Sequence, residues 1–191
     1  MIKKAFCSVE KKMKKSGINY DDSGTCALIL FIRNNMITIA NLGDSRAVLC
    51  RIEKDTLAIE ISIDHKPTRK EEKKRILENG GKIERLNYNG KFIGPYRVWV
   101  NEEGPGYAIT RSLGDFKAKK IGYISEPEVD HIKIKKNDKF IVVASDGVWD
   151  VMSSAEVVGF ILQNKDCWEY ENKMAEKLAK EVRQRWEESN T

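Results

Sequence analysis

The apolar positions change period along the chain. Ile2, Phe6, Val9 and Met13 recur at helical spacing through a stretch without Pro or Gly, which predicts an amphipathic helix over residues 1–16 that stops at Gly17. From Cys26 the pattern becomes a continuous apolar run to Ile32, as in a buried strand. Asn34-Asn35 supplies residues that tolerate positive φ in a two-residue hairpin turn, so residues 36–40 read as the return strand. Asn41-Leu42-Gly43-Asp44 is turn-forming and leads into a strand at residues 47–50. Leu57, Ile59, Ile61 and Ile63 then alternate with their neighbours at the period of a half-buried strand. The first third is therefore a helix followed by an antiparallel meander. Its connections are too short for the crossover helices of a parallel nucleotide-binding fold.

Thr68 and Glu71 have the spacing of a capping box, and Asn79-Gly80-Gly81 would close the helix between them. Residues 82–110 combine glycines, two prolines and the aromatics Tyr88, Phe92, Tyr96, Trp99 and Tyr107, and are expected to be irregular and loop-rich. Residues 140–144 read as a second buried strand. Ser153 with Glu156 opens a helix through Leu162, and Met174, Leu178, Val182 and Trp186 mark the apolar stripe of a last one. Strands are thus expected near 26–32, 36–41, 46–51, 57–63 and 139–145, and helices at 153–163 and 171–188, giving an α+β fold with antiparallel sheets.

Composition narrows the class. With 191 residues, 41% hydrophobic and 33% charged, the chain has enough apolar side chains for one folded domain. Its longest apolar run is far below the roughly 20 residues a bilayer-spanning helix needs, and Lys-rich sequence follows Ala5-Phe6-Cys7 where a signal peptide would be apolar. No membrane partner is expected. Cys7, Cys26, Cys50 and Cys167 form no CxxC pair and read as reduced thiols of a cytoplasmic or nuclear protein. The net charge of +5 gathers at Lys11-Lys12 with Lys14-Lys15, and at Arg69, Lys70, Lys73, Lys74 and Arg75. Glu10, Glu71 and Glu72 interrupt both clusters, so they read as solvated helix faces and no nucleic-acid partner is expected.

Candidate chemistry sits at strand ends. In Ala144-Ser145-Asp146-Gly147-Val148-Trp149-Asp150 a strand delivers two aspartates, four apart, into a glycine turn. Carboxylates presented there suit hard divalent cations, although Asp146 as a turn former and Asp150 as a helix cap would use the same residues. Gly43-Asp44-Ser45-Arg46, Leu113-Gly114-Asp115 and Ser23-Gly24-Thr25 repeat that placement. Asp44, Asp146 and Asp150 are expected to converge on one surface.

The order of these segments is similar to that in the metal-dependent protein phosphatases of type 2C. The resemblance rests on Ser23-Gly24-Thr25-Cys26-Ala27, Ala40-Asn41-Leu42-Gly43-Asp44-Ser45-Arg46-Ala47, Asp64-His65-Lys66-Pro67, Arg75-Ile76 with Gly80-Gly81, Thr110-Arg111-Ser112-Leu113-Gly114-Asp115, Glu126-Pro127-Glu128 and Ala144-Ser145-Asp146-Gly147-Val148-Trp149-Asp150-Val151. It implies an αββα sandwich of antiparallel sheets, phosphoprotein substrates, and hydrolysis of phosphoserine and phosphothreonine by a water bridging Mg²⁺ or Mn²⁺ ions, two or more in a complete domain. Asp146 matches the core metal carboxylate. Asp44 and Asp150 match ligands of a weaker additional ion, and Thr25 lies in a further matching segment. Residues 64–106 match the flap beside the active site, and His65 matches a structural turn residue rather than a catalytic acid.

Three family features are absent from the sequence: the Asp-Gly-His-Gly motif, the upstream phosphate-binding arginine and the C-terminal Asp-Asn motif. No side chain is therefore assigned a catalytic role. Residues 1–191 are expected to be one partial, monomeric catalytic domain, cut at both ends and weakly active or inactive alone. The alternative is a non-catalytic interaction module that keeps the scaffold.

Overall fold

A computed structural model describes residues 1–101, 104–168 and 173–189. In chain order the elements are α1 (Ile2–Lys15), β1 (Gly24–Thr25), β2 (Ala27–Arg33), β3 (Met36–Leu42), β4 (Arg46–Ile52), β5 (Thr56–Glu60), α2 (Lys70–Glu78), β6 (Lys82–Tyr88) and β7 (Lys91–Trp99). There follow β8 (Leu113–Gly114), β9 (Glu128–Lys133), β10 (Asp138–Ala144), α3 (Asp146–Trp149), α4 (Ser154–Gln163) and α5 (Lys173–Ser189). The chain forms two compact units, one of Met1–Ser45 with Ile63–His131 and one of Arg46–Ser62 with Ile132–Thr191.

In the first unit the strand order is β2-β3-β9. The β2–β3 hairpin turns on Asn34 (φ 49°) and Asn35 (φ 60°), the two positive-φ positions a tight turn of this hand requires. α1 buries Phe6 with Ala40, Leu42 and Leu113, while Val9 on the same predicted stripe stays exposed. A second cluster gathers Ile76 of α2, Val98 of β7, Ala118, Ile121 and Tyr123.

In the second unit the order is β10-β4-β5, and the central position of β4 explains why its interior residues are buried. Trp149, Val157, Val158, Ile161, Leu178 and Val182 pack on Val48 and Cys50, so α3, α4 and α5 share one core with the sheet. The Ser153–Glu156 capping box forms in both directions, as the spacing predicts.

Several expectations are corrected. β3 and β4 lie in different three-stranded sheets, so the run of strands is not one meander; the chain leaves the first sheet at Gly43, whose φ of +104° turns it out of the ladder. β2 is not buried: Phe31 is 55% and Ile32 63% exposed, because β2 ends its sheet and, among the described residues, pairs only with β3. β10 is likewise an edge strand, with Val143 exposed. The fourth predicted strand ends at Glu60, and Ile63 is exposed, so the apolar alternation outruns the ladder. Thr68 makes no capping box, since α2 starts two residues later with Arg69 as its cap.

The segment from residue 82 is a β6–β7 hairpin rather than irregular chain. Asn89 (φ 51°) and Gly90 (φ 79°) make its two-residue turn, and Gly94-Pro95 is accommodated where the register slips between Arg85 and Leu86. Residues 171–172 of the last predicted helix lie outside the described residues.

Candidate metal centre

In the second unit β10 ends at Ala144, Ser145 keeps extended backbone, and Asp146 begins the single turn of α3. The Asp150 amide donates to the Asp146 carbonyl at 2.8 Å, which closes the turn. Two indoles lock it from either side. Trp149 Nε1 donates to the Ala144 carbonyl at 2.9 Å, and Trp186 Nε1 of α5 donates to the Gly147 carbonyl at 2.7 Å. The Arg46 guanidinium lies 5.4 Å from the Trp149 ring centroid and donates to Glu60 at 3.0 Å and to Ser154 at 3.3 Å. Asp146 and Asp150, both exposed, thus stand on one braced turn, four residues apart.

In the first unit Asp44 is only 5% exposed. Its Oδ1 accepts the Cys26 thiol proton at 3.2 Å, and its Oδ2 accepts from Lys66 Nζ at 2.5 Å. Burial, with the Asp44 charge beside it, pushes the Cys26 thiol up to about 11. Gly43 is obligatory here, because a Cβ at that position would stand 2.3 Å from Cys26 Sγ. Thr25 is exposed in β1, and its hydroxyl donates to the Cys26 carbonyl at 3.0 Å.

His65 is fully buried. Its amide donates to the Gly43 carbonyl at 2.9 Å, its Nδ1 lies 3.1 Å from the Gly43 amide, and its Nε2 lies 3.5 Å from Glu128. Burial first, and then the nearby Arg111 charge, lower its pKa to about 4, so the ring is neutral at pH 7. This is the turn residue the resemblance implies, remote in character from an acid that must give up a proton. Around it Arg111 and Arg75 both chelate Glu72, and Arg69 takes Glu128 through two hydrogen bonds of 2.8 and 2.9 Å. Burial opposes the Glu72 charge, but hydrogen bonds from Arg75, Arg111 and Thr110 overcome it and hold the carboxyl well below the usual range. Arg69 and Arg75, predicted to lie on a solvated face, are instead part of this network.

The structure therefore places Asp146 and Asp150 together on one turn, and Asp44 and Thr25 in the first unit. Among the described residues no group of three or more His, Cys, Asp or Glu side chains could hold a metal ion. Asp146 and Asp150 are exposed and carry hard oxygen donors of the kind Mg²⁺ and Mn²⁺ take, Asp150 with a partner of its own. Asp44 is buried, and its two oxygens accept from Cys26 and Lys66. Sequence reasoning missed Cys26 and Lys66 as its partners. Lys66 stood inside the Asp64-His65-Lys66-Pro67 segment, but neither charge nor periodicity says which carboxylate a lysine will reach.

The family model for protein phosphatase 2C matches residues 1–191. Two proteins of Oryza sativa subsp. japonica are similar: probable protein phosphatase 2C 48, 40% identical over 146 residues, and probable protein phosphatase 2C 73, 35% identical over 187 residues. The matches cover 73% and 96% of this chain but only 40% and 43% of those relatives. Among solved structures, serine-threonine phosphatase 2C from Toxoplasma gondii superposes with a TM-score of 0.77 at 23% identity, over 96% of this chain and 60% of that one.

Proposed function

The chain belongs to the protein phosphatase 2C family, and from that premise we propose that the protein it forms part of removes phosphate from phosphoserine and phosphothreonine in other proteins. The observation that carries this reading is the turn bearing the exposed Asp146 and Asp150, whose flanking Ala144 and Gly147 carbonyls accept from the Trp149 and Trp186 indoles. A protein that used the scaffold only for contacts would have no need of paired carboxylates on a strand end fixed this firmly.

Bound Mg²⁺ or Mn²⁺ would supply an acidified water and neutralise phosphate charge. Asp146 would hold such an ion and Asp150 a further one. The residues of the turn do the positioning: the Asp150 amide, the Ala144 carbonyl and the Gly147 carbonyl are all committed to hydrogen bonds that fix the backbone carrying the two side chains. His65, buried and neutral, takes no part in proton transfer. The remaining carboxylates belong to the Asp-Gly-His-Gly and Asp-Asn segments that this sequence does not contain.

The test is a pair of assays with a phosphoserine peptide in Mn²⁺. A chain completed with both segments should turn over, and Asp146→Asn should abolish it, whereas the 191-residue chain should be nearly inert with or without that change. A completed chain indifferent to Asp146→Asn would refute the assignment of the metal carboxylate. A completed chain with no turnover at all would favour the interaction-module alternative.

A further inference from the structure

We propose that the outer face of α1 is a docking surface for an acidic, extended segment of a partner protein, held by Lys4, Lys11 and Lys15 with Lys12 and Lys14 beside them. α1 shares no residue with the Asp146 turn, so this face would serve whatever chemistry that turn performs.

The lysines are gathered on one side. Lys11 and Lys15 stand seven and eleven residues beyond Lys4, which puts the three within about 40° of one another around the helix, away from the buried Phe6. Lys12 and Lys14 flank them, and all five are exposed. Glu10 interrupts this cluster in the sequence but not on the surface. Its Oε2 accepts from the Gly114 amide at 3.1 Å, its Oε1 lies 3.2 Å from Lys119 Nζ, and its side chain is only 15% exposed. Lys3 is taken by Glu126 at 2.6 Å, whereas Lys4, Lys11, Lys12, Lys14 and Lys15 have no ion-pair partner among the described residues. Lys4 stands in the first turn, where the helix macrodipole disfavours a cation, so helix stability alone does not account for it.

The chemistry of the face selects the partner. The apolar side of α1 is spent on the core, where Phe6 packs with Ala40, Leu42 and Leu113, so the helix has nothing to insert into a bilayer. The face holds neither an arginine fork for bidentate phosphate contacts nor an aromatic ring on which a base would stack. Lysines are point charges, suited to carboxylates presented singly. Lys4 and Lys15 are about 17 Å apart along the axis, a span that an extended peptide covers in about five residues. Alternate side chains of such a peptide point to the same side, so the fitting segment carries Asp or Glu at every second position.

The experiment is fluorescence anisotropy of a dye-labelled peptide of alternating Glu and Ser, titrated with the 191-residue chain at low salt, with a Gln and Ser peptide as control. The Glu peptide should bind, the Gln peptide should not, and salt should weaken the complex. Lys4→Gln/Lys11→Gln/Lys15→Gln should bind about tenfold more weakly, each exposed pair contributing roughly a factor of two, with helix content by circular dichroism unchanged. Lys4→Arg/Lys11→Arg/Lys15→Arg should keep the parent affinity. Lys70→Gln/Lys73→Gln/Lys74→Gln removes the same charge from α2 and should stay within about twofold of the parent. Equal binding of the two peptides overturns the proposal. So does equal loss in the α1 and α2 variants, which would make net charge the cause, or an arginine variant as weak as the glutamine one. Phosphatidylserine vesicles and a single-stranded DNA oligonucleotide are the remaining arms. If either binds more tightly than the Glu peptide and is released by the α1 glutamine variant, the acidic-segment assignment is overturned.

Discussion

Arg111 Nη2 lies 2.6 Å from Glu72 Oε1, and the glutamate has no solvent exposure. Arg75 holds the same carboxylate at 2.6 Å from the other side, and the Thr110 hydroxyl donates to it at 2.5 Å. One buried negative charge thus organises two guanidinium groups and the Thr110-Arg111 segment that leads into β8. Glu72→Ala would take from both their shared buried carboxylate, leaving Arg111 with Glu128 at 3.2 Å, and should cost about 3–5 kcal/mol, read by urea denaturation. The carboxyl is held below its usual range, so its contribution is complete above the ordinary glutamate pKa and is lost as pH falls toward the lower folded value. Glu72→Gln should therefore flatten the acid side of the stability curve.

His65 sets a second, higher pH window. Its pKa falls from 6.5 to about 4 on folding, so the unfolded chain binds the proton more readily between those values. Stability should be complete above pH 6.5 and decline by up to about 3 kcal/mol as pH drops to 4. His65→Asn should lower stability at neutral pH yet remove most of that decline. Denaturation series at pH 7, 6, 5 and 4 check both statements.

Gly43→Ala should cost about 2–4 kcal/mol, from a non-glycine residue at φ +104° and a Cβ driven into Cys26. Pairing it with Cys26→Ala should recover only part of the loss. Removing Sγ relieves the 2.3 Å contact, but Cys26 Cβ at 2.8 Å and the strained φ remain. A double-mutant cycle measures the recovered share.

Trp149→Phe keeps an aromatic ring beneath Arg46 but takes the donor from the Ala144 carbonyl. The loss should be about 1–3 kcal/mol. Amide exchange at residues 145–150 should rise more than exchange across β4, since the turn loses its brace while the central strand keeps both ladders. Equal loosening of the two would show that Trp149 acts through the core alone.

The legible part of the fold was local. Asn34-Asn35 announced a hairpin because positive φ is a property of those residues, and Ser153 with Glu156 announced a helix start because both hydrogen bonds close within one turn. Asn89-Gly90 carried the same kind of signal, but the surrounding Gly, Pro and aromatic residues obscured it. What failed was long-range. Nothing in the Ala27–Arg33 run says that only one neighbour will pair with it, and nothing in Thr68-Arg69 says that Glu128 will claim the arginine and leave the helix to begin at Lys70. The candidate site divides the same way. Asp146 and Asp150 follow from a strand end, whereas the engagement of Asp44 depends on a lysine 22 residues away.

The edge position of β2 bears on how the protein behaves in concentrated solution. Its sequence, Ala-Leu-Ile-Leu-Phe-Ile-Arg, holds a single charge at its far end and neither proline nor lysine to blunt the free rim. Open backbone groups beside exposed Phe31 and Ile32 are a template on which another extended chain can lay itself down. Self-association of this polypeptide is then expected to start at such rims, and Phe31→Lys should slow it, as light scattering at high concentration would read.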